Sequence, residues 1–257
     1  MEFEKVAVVT GGGTGIGRAI ALRFAAEGYF VAVNGRHREN AEETARLAEA
    51  VGGRAEAYTA DVSQNGQVRE MMRRIVEARG RVDVLVNNAG VCPMRNFEDI
   101  TPESFEETMR INLFSMYYCA AAAAESMKAA GGGRIINAGS QSSFRQSPQT
   151  VEYATSKWAV RGLTRTLAAA LAPYNITVNA YCPGTVLTPM QKKNSKKRGE
   201  MFGITEEAYL QKRFSEIPLG RPQTEEEIAA FVSFLASPDA NSITGQCIMI
   251  NGGQVMC

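Results

Sequence analysis

Short apolar runs alternate along the chain with longer stretches whose apolar positions follow a helical spacing. The short runs are rich in valine and isoleucine and predict strands at 5–10, 30–34, 56–61, 82–87, 134–139, 177–182 and 247–251. The intervening stretches predict helices, among them 15–28, 39–51, 102–130 and 152–171. Continuous apolar strands that alternate with helices are typical of a parallel sheet covered on both faces. We therefore predict one α/β domain over residues 1–257, with a Rossmann-like, doubly wound parallel sheet.

Residues 188–215 break this alternation, because they contain no strand-like run. Their basic side chains are Lys192, Lys193, Lys196, Lys197 and Arg198. Long insertions at the carboxyl edge of such sheets commonly form lids over binding sites. We predict a mobile substrate lid that is open or disordered without ligand. The lysines are equally compatible with an ordinary solvated helix face.

Composition narrows the function classes. The 257 residues carry a net charge of +1, so no overall field favours nucleic acid or a membrane surface. No apolar run approaches the roughly 18 residues that span a bilayer, and residues 1–5 show no cationic leader, so we expect a cytoplasmic protein. The five cysteines are far apart and predict reduced thiols. With His37 as the single histidine, a multi-histidine metal site is excluded and a Ser-His-Asp triad is disfavoured.

A glycine-rich loop follows the first predicted strand and opens the first predicted helix. Glycines let backbone N–H groups approach a pyrophosphate, and a helix N-terminus adds a favourable partial positive charge. The same glycines are also compatible with a simple tight turn. We predict that the loop binds a dinucleotide through Gly11, Gly13, Thr14, Gly15, Ile16 and Gly17.

Tyr153 and Lys157 are four residues apart in a predicted helix, so their side chains share one face. A phenol exchanges protons usefully only when its pKa falls from about 10, and a nearby ammonium group favours the phenolate. The pair is therefore a candidate acid/base device, although the spacing alone also occurs on solvated helix faces. Ser140, at the end of the strand predicted at 134–139, lies just upstream and strengthens the hypothesis.

Four motifs follow one another along the chain: Gly11-x3-Gly15-x-Gly17, Asn87-Asn88-Ala89-Gly90, Ser140 with Tyr153-x3-Lys157, and Pro183-Gly184. In this order they resemble the short-chain dehydrogenase/reductase family over nearly the whole chain. The resemblance implies a catalytic tetrad of Asn112, Ser140, Tyr153 and Lys157. Family members usually form homotetramers through two long helices, which here carry the alanine-rich stretches 120–124 and 168–170.

The resemblance assigns a role to each tetrad residue. Ser140 would hydrogen-bond the carbonyl oxygen of the substrate, and Tyr153 would donate the proton as general acid. Lys157 would lower the pKa of Tyr153 and hold the ribose of the cofactor. Asn112 would position a water molecule behind Lys157 in a proton relay.

The resemblance also implies further cofactor contacts beyond the glycine loop. They are Arg36, Asp61, Val62, Asn88, Ala89, Gly90, Tyr153, Lys157, Pro183, Gly184, Val186 and Thr188. Asp61 would contact the adenine, and it is also suited to cap the helix that follows.

The end of the second predicted strand indicates which coenzyme is used. NAD-preferring enzymes place an acidic residue there to accept from the ribose hydroxyl, whereas this chain has Gly35 followed by Arg36. A guanidinium group can bind a 2′-phosphate through charge-assisted hydrogen bonds. We predict NADP(H), with NAD as the alternative, and we expect His37 to be exposed and without a catalytic role.

Ser140-Gln141 resembles the acetoin reductases (2,3-butanediol dehydrogenases) of the family, where this glutamine contacts a vicinal oxygen. The ending 252–256 and the lid around 203–219 are similar to those of sorbitol-6-phosphate 2-dehydrogenases. The resemblance implies a small hydroxyketone, diol or polyol as substrate, bound by Ser140, Gln141, Arg145 and Tyr153. Arg145 and the basic lid are also suited to an anionic substrate group. Two alternatives stay open: a 3-oxoacyl-carrier-protein reductase, and a non-catalytic NADP-binding sensor or scaffold.

Overall fold

Seven strands form one sheet in the computed structural model, which describes residues 4–146 and 148–256. They are β1 (Val6–Val9), β2 (Phe30–Gly35), β3 (Arg54–Thr59), β4 (Val84–Asn87), β5 (Gly133–Ala138), β6 (Ile176–Pro183) and β7 (Cys247–Ile250). Their order in the sheet is β3-β2-β1-β4-β5-β6-β7, and every pairing is parallel. The predicted doubly wound fold and all seven predicted strands are confirmed.

The described residues form nine α-helices that cover the two faces of the sheet. They are α1 (Gly15–Ala26), α2 (Arg38–Ala50), α3 (Asn65–Arg79), α4 (Pro102–Met109), α5 (Ser115–Ala129), α6 (Val151–Leu171), α7 (Pro189–Phe202), α8 (Glu206–Ser215) and α9 (Glu225–Ala236). Within the described ranges, no helix combines the length and apolarity that a membrane span requires.

Strand β1 shows why a continuous apolar run fits this position. Its alternate residues enter two different cores: Ala7 and Val9 pack with residues of α1 and α9, whereas Val6 and Val8 pack with residues of α3 and α5. Because successive side chains of a strand point to opposite faces, a strand covered on both sides must be apolar at every position.

The prediction of one continuous α-helix at 102–130 is wrong. A π-helical turn, Arg110–Phe114, separates α4 from α5. At its centre Asn112 is fully buried and bonded to Val91 and Ser156. These contacts come from distant parts of the chain, so helical periodicity in the sequence could not reveal the interruption.

The segment 188–215, predicted as a lid without a strand, is almost entirely helical. Its two helices, α7 and α8, each begin after a threonine whose hydroxyl accepts from a backbone N–H: Thr188 from Gln191 and Thr205 from Ala208. Whether the segment moves as a lid stays a prediction. Cys257, the last of the five cysteines, lies outside the described residues.

Asn88, one residue beyond β4, connects the carboxyl ends of three strands. Its side-chain amide donates to the carbonyl oxygens of Thr10 (3.0 Å) and Gly11 (3.1 Å), which directly follow β1. Its carbonyl oxygen accepts from the hydroxyl of Tyr181 on β6 at 2.8 Å. Since Tyr181 is only 1% exposed, water cannot easily replace this partner.

We expect Asn88→Ala to lower the free energy of unfolding by about 2 kcal/mol or more, because it leaves buried polar groups of Thr10, Gly11 and Tyr181 without partners. Urea denaturation measures the change. Asn65→Ala is the control, since Asn65 is exposed at the start of α3, and it should change stability little. Equal stability of the two variants would show that Asn88 does not hold the strand ends together.

Candidate functional site

A cleft of about 320 Å³ opens at the carboxyl ends of the central strands. It lies where the strand order reverses between β1 and β4, which is the usual position of ligands in doubly wound sheets. Its volume falls at the lower end of the roughly 300–1,000 Å³ typical of ligand sites. Most of the predicted cofactor residues line it: Gly11, Gly13, Thr14, Gly15, Ile16, Gly17, Arg36, Asp61, Val62, Asn88, Ala89, Gly90, Tyr153, Lys157, Pro183 and Thr188.

The glycine loop is too tightly packed to accept side chains. Gly11 has a φ of +62° and Gly15 a φ of +57°, a left-handed conformation that favours glycine. A Cβ atom on Gly17 would lie 2.2 Å from the carbonyl oxygen of Gly11 and 2.4 Å from the amide nitrogen of Asn88. The loop therefore brings backbone close to the N-terminus of α1, an arrangement that fits the pyrophosphate of a dinucleotide.

Two predicted cofactor residues do not line this cleft. Gly184 lies in a close turn, where a Cβ atom would be 2.8 Å from the side chains of both Asn251 and Gln223. Val186 is buried and bridges to Gln223. Both residues shape the backbone after β6 without facing the cleft themselves.

Asp61 lines the cleft but does not cap the following helix, so that part of its prediction is wrong. Helix α3 begins at Asn65, after Gln64. The Asp61 carboxylate instead accepts from the backbone N–H of Ser63 at 2.9 Å. The loop is longer than a direct strand-to-helix turn, which keeps Asp61 out of the capping position and beside the cleft.

The far end of the cleft is formed by Gly35, Arg36 and His37 at the end of β2. Arg36 and His37 are exposed, as predicted for His37. The next arginine, Arg38, is ion-paired with Glu42. Of these two arginines, Arg36 lines the cleft and Arg38 does not.

Tyr153 and Lys157 lie on α6 and face the near end of the same cleft. Ser140 follows β5, and its side chain is hydrogen-bonded to that of Tyr153. The ammonium group of Lys157 donates to the carbonyl oxygen of Ala138 at 2.6 Å and lies 5.6 Å from the centre of the Tyr153 ring. The structure therefore brings three of the four predicted tetrad residues together at the cleft.

Burial dominates the electrostatics of these groups. Burial raises the pKa of Tyr153, and the hydrogen bond with Ser140 opposes this by favouring the phenolate. Burial lowers the pKa of Lys157 from 10.5 to about 8. The lowered Tyr153 pKa expected from the sequence is thus not found, because desolvation outweighs the hydrogen bond with Ser140 and the positive charge of Arg198.

Asn112 lies near Tyr153 and Lys157, but both ends of its side-chain amide are hydrogen-bonded within the protein. Its amide donates to the carbonyl oxygen of Val91 (2.9 Å) and to the hydroxyl of Ser156 (3.0 Å), and its oxygen accepts from the N–H of Val91 at 2.8 Å. An amide has two donor hydrogens, and both are used. The side chain therefore fixes the loop after β4 against α6, next to Lys157.

The predicted substrate residues Gln141 and Arg145 extend from Ser140 away from the cofactor cleft. Gln141 is 6% exposed, and its side-chain oxygen has no hydrogen-bond donor among the described residues. Arg145 lies within electrostatic range of Arg198 on α7 and Arg213 on α8. Sequence reasoning missed Arg213 and Tyr181, because nothing in the local pattern shows which side of α8 or β6 faces the site.

Known proteins are similar to this chain in sequence and in fold. A family model described as short chain dehydrogenase matches residues 5–199. L-2,3-butanediol dehydrogenase of Corynebacterium glutamicum is 38% identical over 256 residues, which cover 98% of this chain and 99% of that protein.

Two solved structures are similar over nearly their full length. A variant of actinorhodin polyketide ketoreductase with NADPH has a TM-score of 0.94 and 32% identity, covering 98% of this chain and 97% of that chain. NAD⁺-bound xylitol dehydrogenase has a TM-score of 0.93 and 31% identity, covering 98% of this chain and 100% of that chain. The chain belongs to the short-chain dehydrogenase family of nicotinamide-dependent oxidoreductases.

Proposed function

We propose that the protein transfers a hydride between NADP(H) and a small hydroxyketone, diol or polyol. The observation that carries this proposal is the arrangement of Tyr153 and Lys157 at the cleft, with Ser140 hydrogen-bonded to Tyr153. A scaffold or sensor that binds the coenzyme without turnover would have no need of this arrangement.

The residues divide the chemistry between them. A nicotinamide bound in the cleft supplies the hydride to the carbonyl carbon in reduction. The Ser140 hydroxyl binds the carbonyl oxygen, and Tyr153 donates its phenolic proton to that oxygen. Lys157 holds a positive charge next to the phenol and stabilises the phenolate that this transfer leaves. Asn112 acts as a positioning residue that holds the loop at Val91 against Ser156 on α6.

Arg36 supports NADP(H) as the coenzyme. Its exposed guanidinium lines the far end of the cleft beside Gly35, where an NAD-preferring enzyme would carry a carboxylate. The related structures bind either coenzyme, NADPH in the polyketide ketoreductase and NAD⁺ in xylitol dehydrogenase. The local charge at Arg36 is therefore the argument for NADP(H), with NAD as the alternative.

The polar residues near Tyr153 support a small oxygenated substrate. Gln141 is buried beside Ser140 with its side-chain oxygen free of a donor in the described structure, so it can accept from a hydroxyl next to the reacting carbon. L-2,3-butanediol dehydrogenase and xylitol dehydrogenase are relatives whose names give a diol and a polyol. The alternative is a 3-oxoacyl substrate linked to a carrier protein, which is the substrate in the name of a 35% identical relative, the 3-oxoacyl-[acyl-carrier-protein] reductase of Thermotoga maritima.

We also propose a cytoplasmic homotetramer. The alanines expected to mediate its helix contacts are partly used elsewhere, since Ala120, Ala123 and Ala168 are buried in the core of the chain itself. Aromatic side chains on the same helices and the preceding π-turn are exposed instead: Phe114, Tyr117 and Trp158. Such side chains are common at protein interfaces and support assembly through this face.

Tyr153→Phe should lower kcat for carbonyl reduction by about 10²–10⁴-fold, since it removes the proton donor. Binding of NADPH should persist because the ring stays in place. The assay follows NADPH oxidation with acetoin, fructose 6-phosphate and an acetoacetyl thioester, which also separates the candidate substrate classes. Tyr174→Phe, at an exposed tyrosine, is the control. Near-normal turnover by Tyr153→Phe would end the assignment of Tyr153 as general acid.

Arg36→Asp should reverse the coenzyme preference. It exchanges a phosphate-binding cation for a carboxylate that repels phosphate and accepts from a ribose hydroxyl. We expect the ratio of kcat/KM for NADPH to that for NADH to fall about 100-fold or more. Arg38→Asp introduces the same charge change at an arginine paired with Glu42 and should alter the ratio far less. A wild type that uses NADH as well as NADPH would contradict the role of Arg36.

The lowered pKa of Lys157 predicts a pH-dependent stability. In the unfolded chain the lysine keeps its usual pKa of 10.5, whereas the folded value is about 8. Between these values the unfolded state binds more protons, so the folded state becomes more stable as the pH rises. Relative to Lys157→Met, the free energy of unfolding of the wild type should increase by about 2 kcal/mol from pH 8 to 10, because the slope reaches its full value of about 1.4 kcal/mol per pH unit only between the two pKa values.

Urea denaturation over this pH range measures the difference between the two proteins. Burial raises the pKa of the Cys119 thiol, which weakens the fold at high pH. Lys157 does not act on this thiol, so its effect is the same in both proteins and cancels. Lys193→Met, at an exposed lysine, should follow the wild-type profile. Parallel profiles for wild type and Lys157→Met would show that Lys157 keeps an ordinary pKa.

A further inference from the structure

Three arginines from separate elements converge beyond Ser140 and Gln141. Arg145 follows the turn after β5, Arg198 is on α7 and Arg213 is on α8. We call them the arginine cluster. Burial lowers the pKa of Arg145, and the positive charges of Arg213 and Arg198 add to this effect. The guanidinium group of Arg145 thus lies within electrostatic range of the other two, in a partly desolvated region.

The described residues do not balance this charge. Glu216 accepts from Arg213 at 2.6 Å, and its negative charge partly offsets the lowering of the Arg145 pKa. Arg198 donates to the neutral hydroxyl of Tyr209 at 2.6 Å. The cluster therefore has three positive charges and one negative partner, and this excess of positive charge favours an anionic ligand.

The hydrogen bonding of the cluster is also incomplete. In each arginine the Nε atom is buried and has no hydrogen-bond acceptor among the described residues. Arg213 as a whole is only 9% exposed. A buried N–H group without an acceptor is costly, and a charged one more so. Three such donors in one place point to an acceptor that the chain itself does not provide.

The cluster adjoins the reacting groups. The charge of Arg198 acts on Tyr153, where it favours the phenolate. Arg213 also contacts Thr185, which directly follows Pro183 and Gly184 at the end of β6. Arg145 lies five residues after Ser140 in the chain. An anion bound here would therefore sit beside a carbonyl group held by Ser140 and Tyr153.

The lysines of α7 do not belong to this arrangement. Lys192, Lys193, Lys196 and Lys197 are exposed, whereas Arg198 is only partly exposed and faces α8. A solvated lysine contributes little to holding an anion. The basic segment expected from the sequence thus has four lysines in solvent and one arginine, Arg198, that points toward α8.

A purely structural role does not explain all three arginines. The bond of Arg198 to Tyr209 holds α7 against α8, and Arg213 is bonded to Glu216 at the end of its own helix. Arg145 adds a third positive charge that the other two repel. A guanidinium placed against like charges is understandable if a ligand brings the negative charge.

We propose that the substrate carries an oxyanion group, namely a carboxylate, phosphate or sulfonate, and that the arginine cluster binds it. This inference rests on the proposed function, since the anion is positioned for the carbonyl that Tyr153 protonates. Guanidinium groups present paired donors that match such oxyanions. Reduction then transfers a hydride to the carbonyl carbon and the Tyr153 proton to its oxygen, and the oxyanion group is unchanged.

Matched substrate pairs test the proposal by NADPH oxidation. Each pair differs in charge: acetoacetate and acetoacetamide, hydroxyacetone phosphate and hydroxyacetone, and 2-oxopropane-1-sulfonate and its sulfonamide. For at least one pair we expect the KM of the anion to be lower than that of its neutral partner by about tenfold or more, and the pair with the largest effect identifies the oxyanion.

Arg145→Gln should raise the KM of that anion at least about tenfold more than the KM of its neutral partner. Arg145→Lys should give an intermediate value, because it keeps the charge without the paired donors.

The control is Lys212→Gln, since Lys212 is an exposed neighbour of Arg213 on α8, and its KM values should match the wild type.

A second measurement detects binding directly and does not require turnover. Inorganic phosphate should bind the wild-type protein with NADPH present in isothermal titration calorimetry, and Arg145→Gln should weaken that binding while retaining its affinity for NADPH.

The outcomes separate this inference from the proposed function. Equal KM values within every pair, or loss of the anion preference in Lys212→Gln to the same extent as in Arg145→Gln, would overturn the role of the cluster while leaving a neutral reductase. No turnover of any carbonyl compound would overturn the proposed function. In that case phosphate binding that depends on Arg145 would still support an oxyanion site, and its absence would overturn that as well.

Discussion

The side-chain amide of Asn88 is the contact on which the arrangement of the site depends. It binds the carbonyl oxygens of Thr10 and Gly11 after β1 and accepts from Tyr181 on β6. Gly17 approaches the same amide too closely for any side chain to fit between them. One amide group therefore fixes the glycine loop, the end of β4 and the end of β6 relative to one another. The start of α1 and the residues after β6 border one cleft as a consequence.

Desolvation then sets the chemistry of the groups around that cleft. It disfavours the charged form of every titratable side chain, so it raises the pKa of Tyr153 and lowers those of Lys157 and Arg145. Lys157 is compensated by the carbonyl oxygen of Ala138, and Arg213 by Glu216. Arg145 has no comparable partner within the described ranges. Under the oxyanion proposal, the substrate would supply the negative charge that Arg145 lacks.

Local patterns were reliable where one physical rule governs a stretch of chain. Strand β1 is apolar at every position because both of its faces are covered, and the glycine loop is visible because the close approach at Gly17 excludes side chains. Predictions from local patterns failed where a side chain is held by residues distant in the sequence. Asn112 interrupts a helix through contacts with Val91 and Ser156, and Asp61 lies beside the cleft instead of capping α3.

The doubly wound sheet, the glycine loop and the spacing of Tyr153 and Lys157 could be predicted from the sequence alone, because they follow from periodicity and from backbone sterics within short segments. Which basic side chains lie near the reacting groups became visible only in the folded molecule. It turns the lysines of α7 to solvent and brings Arg198 together with Arg145 and Arg213 from two other elements. Burial and mutual repulsion depend on distances between segments far apart in the chain, and no local pattern contains those distances.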